Sequence, residues 1–132
     1  MHRVKVFTTV AALANYAAVL WHLYLEIQLR PATPMVEVVR IAAIAGGLTF
    51  VGLALLWVHW QKIGSVVLAG MFANGLVLGC LEHFFVASPV NVFLIGNGDW
   101  TVLFKISVVI LVVFQLAGLS ATGRILVTRS AA

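Results

Sequence analysis

Four apolar runs dominate this sequence, each long enough for a helix to cross a bilayer, which takes about 20 residues. They lie at about 4–29, 35–60, 64–86 and 100–125. With 63% hydrophobic and 9% charged residues in 132, a soluble fold could not cover its own apolar surface. The runs are continuous rather than alternating, which selects helices over a β-barrel. The expected fold is all-α: an integral membrane four-helix antiparallel bundle, both termini on the same side, with residues 1–132 forming a single transmembrane domain. The lipid bilayer is its first partner.

Three features imitate other classes. Arg3 and Lys5 precede the first run as in a signal peptide, but the run is too long and carries Asn15 and His22, so it reads as a retained helix. The single Cys80 excludes an intrachain disulfide and a CxxC metal or redox motif. The pI of 9.9 comes from scattered juxtamembrane bases rather than a basic stripe. No nucleic acid partner is expected, and positive-inside topology accounts for the bases.

The links between runs carry helix punctuation. Arg30-Pro31 and Pro34 end the first run. Thr33 reads as the N-cap of the second, with Glu37 in its first turn and Arg40 three residues on. Gly46 and Gly47 on the second run, with Gly75 and Gly79 on the third, predict close contact between those two spans. Trp21, Trp57, Trp60 and Trp100 mark the interfaces. The loop at 87–98 is too apolar for a solvated linker, so it folds back onto the mouth of the bundle or lies along the interface. Asp99 reads as the N-cap of the last span.

Topology gathers the ionisable residues. Arg3, Lys5, Lys62, Arg124 and Arg129 fall at one end of the spans, and Arg30, Arg40 and Lys105 at the other. That imbalance places the termini in the cytoplasm, and the setting is a bacterial inner membrane. All four acids (Glu26, Glu37, Glu82 and Asp99) lie at the opposite end, as do His22 and His83. His22 and Glu26 are four apart on one helical face, and Glu82 is followed directly by His83. Ionisable groups inside a bilayer are costly, so this cluster is the candidate site.

The cluster admits several chemistries. His22, Glu26, Glu82 and His83 are the ligand types for a Zn, Fe or Cu ion between two facing helices. Alternatively His22 and His83 are axial ligands of haem b, with Gly75 and Gly79 clearing room and Arg40 and Lys105 meeting the propionates. Plain charge neutralisation is the simplest reading, with Arg40 on Glu37 or Glu26, Lys105 on Glu82, and the chain an accessory or structural subunit without a cofactor. A proton-coupled transporter would use Asn15, Asn74 and Gln115 to extend a polar path inward. A bundle with so little mass outside the membrane is expected to work as a homo-oligomer or with other membrane subunits in a larger complex.

The H-x-x-x-E of His22 and Glu26, followed by the acid Glu82 on a later span, resembles the pattern of the sterol-isomerase (emopamil-binding-like) membrane family. The resemblance rests on those three residues. It implies an intramembrane enzyme that shifts a double bond of a lipid-like substrate through a carbocation, with acid and His moving the proton. The Asn and Trp that the family carries on its last span are absent, and Lys105, Ser107 and Gln115 stand on that span instead.

Overall fold

A computed structural model describes residues 1–128. Within them the elements are α1 (His2–Leu29), α2 (Met35–Trp57), α3 (Gln61–Cys80), a π-helical turn (Leu81–Phe85) that continues α3 without a break, and α4 (Asp99–Thr128). No strand occurs among the described residues. The four helices are each long and apolar enough to cross a membrane, as an integral membrane protein requires. Arg129, counted above among the bases of one end, lies outside the described residues.

The helices form a closed ring of neighbours. The α1–α4 contact is the most extensive, followed by α3–α4 and α2–α3, and a smaller α1–α2 contact completes the circle. Residues 58–60 are the whole link between α2 and α3, so those helices run antiparallel. Arg3 and Arg124 line one cavity, which puts the start of α1 and the end of α4 at the same end of the bundle. The end of α2 lies there too, where the Trp57 indole donates to Thr9 Oγ1 at 2.9 Å.

Two buried clusters hold the bundle. At the end shared by Arg3 and Arg124, Ala12, Leu56, Leu68, Met71, Phe72 and Ile125 pack together. At the other end, Leu25, Phe104 and Val108 enclose Val90 of the 87–98 loop, with Val92 and Ile95 against the same core. The loop thus folds back onto the bundle mouth. Its apolar side chains gain more from burial there than a polar linker would in water. Outside these cores, Val36 and Phe85 are each more than 70% exposed (77% and 78%), a surface suited to lipid.

Several boundaries and contacts differ from the sequence expectation. α2 ends three residues early, at Trp57, and α3 begins three residues early, at Gln61. The N-cap of α2 is Pro34, without a side-chain cap bond, rather than Thr33. Proline already holds the φ that a helix entry needs, and the Thr33 amide is drawn back to the Arg30 carbonyl at 2.9 Å. Asp99 is the first residue of α4 rather than its cap.

The expected α2–α3 glycine contact is the larger correction. Gly46 faces Tyr16 of α1, Gly75 faces Gln115 of α4, and Gly47 and Gly79 have nothing within 4 Å of where a Cβ would stand. The close approach is instead Gly52 against Leu68 and Gly64 against the backbone of Gly52 and Leu56. Small residues show that a helix can be approached. They do not identify the neighbour that approaches it.

Candidate functional site

The π turn is where the site begins. The Val86 amide donates to the Leu81 carbonyl at 2.8 Å, a bond reaching five residues back. Such turns are rare and occur frequently at functional sites. This one, Leu-Glu-His-Phe-Phe, contains both Glu82 and His83. Beyond it the chain doubles back, and the Val92 amide donates to the His83 carbonyl at 2.9 Å. Asn91, buried, secures the fold-back: its Nδ2 donates to the Val86 carbonyl at 2.7 Å and its Oδ1 accepts from the Phe93 amide at 2.9 Å.

The loop fixes one imidazole and α4 fixes the other. His83 Nδ1 lies 3.1 Å from the Val90 carbonyl oxygen. A carbonyl can only accept, so Nδ1 carries a proton, and in the neutral ring Nε2 is the nitrogen with the lone pair. His22 Nδ1 lies 2.8 Å from Ser107 Oγ, and that hydroxyl donates to the Phe104 carbonyl at 2.7 Å. With its one proton committed, Ser107 accepts from His22 Nδ1, so in the neutral ring Nε2 again carries the lone pair. The two rings meet edge to face, with centroids 4.9 Å apart. Both rest against Phe104, which is fully buried.

The four residues singled out from the sequence share one cavity of about 170 Å³. His22 and Glu26 enter from α1, and Glu82 and His83 from the π turn. Gln115 of α4 and the two glycines of α3, Gly75 and Gly79, complete its polar and open parts. The missing side chains at those glycines help keep the space clear. His22, His83 and Gln115 are buried, whereas Ile41 and Glu82 are exposed, so the cavity runs from a mouth at the bundle surface to a polar floor.

The cations follow the sequence expectation in part: Arg40 takes Glu37, one of its two expected acids, whereas Lys105 does not take Glu82 among the described residues. Glu26 pairs with Arg30, one turn along α1, at 3.3 Å. Arg40 pairs with Glu37 at 3.4 Å on an exposed face. Neither Arg40 nor Lys105 lines the cavity, and no Lys105–Glu82 ion pair forms among the described residues. The i,i+4 spacing of Glu26 and Arg30 was visible in the sequence, while Arg40 lies on another helix and takes the acid nearest to it. Asn15 and Gln115 are buried, but Asn74 is exposed and extends no inward path.

The ligand sets fare poorly against this geometry. Among the described residues no three His, Cys, Asp or Glu side chains come together to hold a metal ion, so His22, Glu26, Glu82 and His83 line a cavity without forming a coordination set. For haem, two axial imidazoles straddle the porphyrin with centroids roughly 6 Å apart, given about 2 Å from each nitrogen to the metal. At 4.9 Å and in direct edge contact, His22 and His83 leave no room for that plate. Residues the sequence reading did not assign to the site are Phe104, Val90 and Asn91. The apolar ones carry no chemical signal, and the loop residues act through backbone positions.

No protein family, curated protein or solved structure matches this chain.

Proposed function

We propose that this membrane protein carries an intramembrane acid–base centre that acts on the polar or unsaturated end of a lipid-soluble substrate. The observation that carries the reading is the pair of imidazoles whose Nδ1 protons are committed to Ser107 and Val90, so that Nε2 carries the lone pair of each neutral ring, on two residues that line a cavity together with two carboxylates. General acid–base chemistry needs such groups held in a defined protonation geometry. One base removes a proton from a substrate carbon, and a conjugate acid of the cluster returns a proton to another. The product is an isomer, and no co-reactant is required.

Size and access define the substrate class. A cavity of about 170 Å³ is smaller than the roughly 300–1,000 Å³ typical for whole drug-sized ligands. It admits the reactive end of a longer molecule whose remainder stays in lipid. Ile41, at the mouth, lies six residues beyond the start of α2 and so about 9 Å along that helix, which suits entry from the side. Arg30 restrains Glu26, and Glu82 stands at the entrance. In this reading the acidic end faces away from the cytoplasm in a bacterial inner membrane, both termini are cytoplasmic, and the chain works as a homo-oligomer or within a larger membrane complex.

The test uses the protein in liposomes made from the expression host's total lipid extract, incubated in D₂O. Deuterium is expected to enter a lipid species, as read by mass spectrometry, and to fall to background with Glu82→Gln and with His83→Gln in protein of unchanged helix content. A folded parent that exchanges no more deuterium than empty liposomes would refute the reading and favour a structural subunit.

A further inference from the structure

At the opposite end of the bundle lies a second cavity, of about 340 Å³, between α1 and α4. Arg3 and Arg124 line it, one arginine from each helix. Ser120 adds a hydroxyl, and Val4, Phe7 and Ala117 give it an apolar wall. We propose that this cavity binds an anionic phospholipid, with the phosphate held by Arg3 and Arg124 and an acyl chain lying along Phe7 and Ala117.

Charge makes the first case. Neither guanidinium has an ion-pair partner among the described residues, where the two ion pairs are Arg30–Glu26 and Arg40–Glu37. No acidic side chain can supply one. All four acids stand at the far end, and Glu26, on the same helix as Arg3, is 23 residues and so about 35 Å away. Two arginines lining one cavity with no acidic side chain beside them among the described residues suit a phosphate oxyanion, which guanidinium groups bind in a bidentate manner.

Shape and position make the second case. Arg3 lies in the first turn of α1, and Arg124 four residues from the end of α4. Both are exposed, at the level where a leaflet carries its headgroups. Phe7 and Ala117 lie four and seven residues further in, about 6 and 10 Å towards the bundle centre. A free phosphate would use the two arginines and leave that apolar wall unoccupied. A phospholipid uses both parts. Lys5 belongs to the same end but is stacked over the Trp57 ring at 5.6 Å, so it serves the α1–α2 junction. Basic recesses between spanning helices are a recognised setting for anionic headgroups.

The experiment adds phosphatidylglycerol, phosphatidylcholine or inorganic phosphate to the delipidated protein in mild detergent, reading retained lipid by native mass spectrometry and stability by thermal unfolding. Phosphatidylglycerol is expected to stay bound and raise the melting temperature, whereas phosphatidylcholine and phosphate do neither. The Arg3→Gln/Arg124→Gln variant should bind phosphatidylglycerol roughly thirtyfold more weakly, at about 1 kcal/mol for each charge lost. Lys62→Gln, on the α2–α3 side of the bundle, should bind as the parent does. Both substitutions fall on exposed side chains, and unchanged helix content verifies folding. Equal retention of phosphatidylcholine would overturn the anionic headgroup. An equal response to inorganic phosphate would overturn the lipid, and undiminished retention by the double variant would overturn the site.

Discussion

Ser107 is a single hydroxyl in an otherwise apolar stretch of α4, yet it decides how His22 is protonated. It is fully buried, gives its proton to the Phe104 carbonyl, and so can meet His22 only as an acceptor. Ser107→Ala would leave the Nδ1–H of a buried imidazole without a partner. The expected cost is about 1–3 kcal/mol, the usual penalty for an orphaned buried donor. Chemical denaturation in detergent measures it, and ¹⁵N shifts of the imidazole report whether the proton remains on Nδ1. An unchanged stability with an unchanged tautomer would mean that another group holds the ring. The residue was readable as a polar oddity of the last span. Its role was not, because that depends on which carbonyl takes its proton.

At the scale of elements, the glycines separate what spacing can show from what packing decides. Gly79 belongs to a small-xxx-small pair with Gly75, but it lines the cavity and a Cβ there would meet no atom within 4 Å. Gly118 stands in no such pair with another glycine, yet a Cβ on it would run into the ring of Phe72, which is fully buried. Gly118→Ala is therefore expected to destabilise the α3–α4 contact by about 1–3 kcal/mol through overpacking. Gly79→Ala should be neutral or gain up to about 1 kcal/mol from helix propensity. Thermal unfolding of the two variants side by side makes the comparison, and the reverse order would refute the packing described here. The π turn is a similar case. Glu82 and His83 stood out in the sequence by their polarity, but the wider turn that presents them depends on the returning loop, through Val92 on His83 and Asn91 on Val86.

For the whole molecule, hydropathy alone identified four helices long and apolar enough to span a membrane, because a surface that faces lipid has to be apolar wherever a neighbour does not cover it. The ends of the helices were less legible, with α2, α3 and α4 each displaced by a few residues from the apolar runs. Convergence of His22, Glu26, Glu82 and His83 on one cavity was legible from topology, since every acid falls at one end. The ion pairs were only half legible, because spacing along one helix is visible in a sequence and distance between helices is not. Which end faces the cytoplasm rests on the bases, and a labelling experiment tests it. Asn91 would be a poor site for the probe, being buried and hydrogen-bonded at both ends of its amide. Phe93, 75% exposed in the same loop, is better, and His59 serves in the exposed link between α2 and α3. With Cys80→Ser as the background, Phe93→Cys should react with a membrane-impermeant maleimide on intact cells, and His59→Cys only after the cells are opened. The two sites flank the same π-extended α3 helix, His59 before its start and Phe93 in the loop beyond its end, so they must label oppositely if that helix crosses the membrane. Labelling of both from outside would mean that α3 does not cross. The reverse order would place the acidic cavity on the cytoplasmic side, with the geometry of the site intact and its access to the two aqueous phases exchanged.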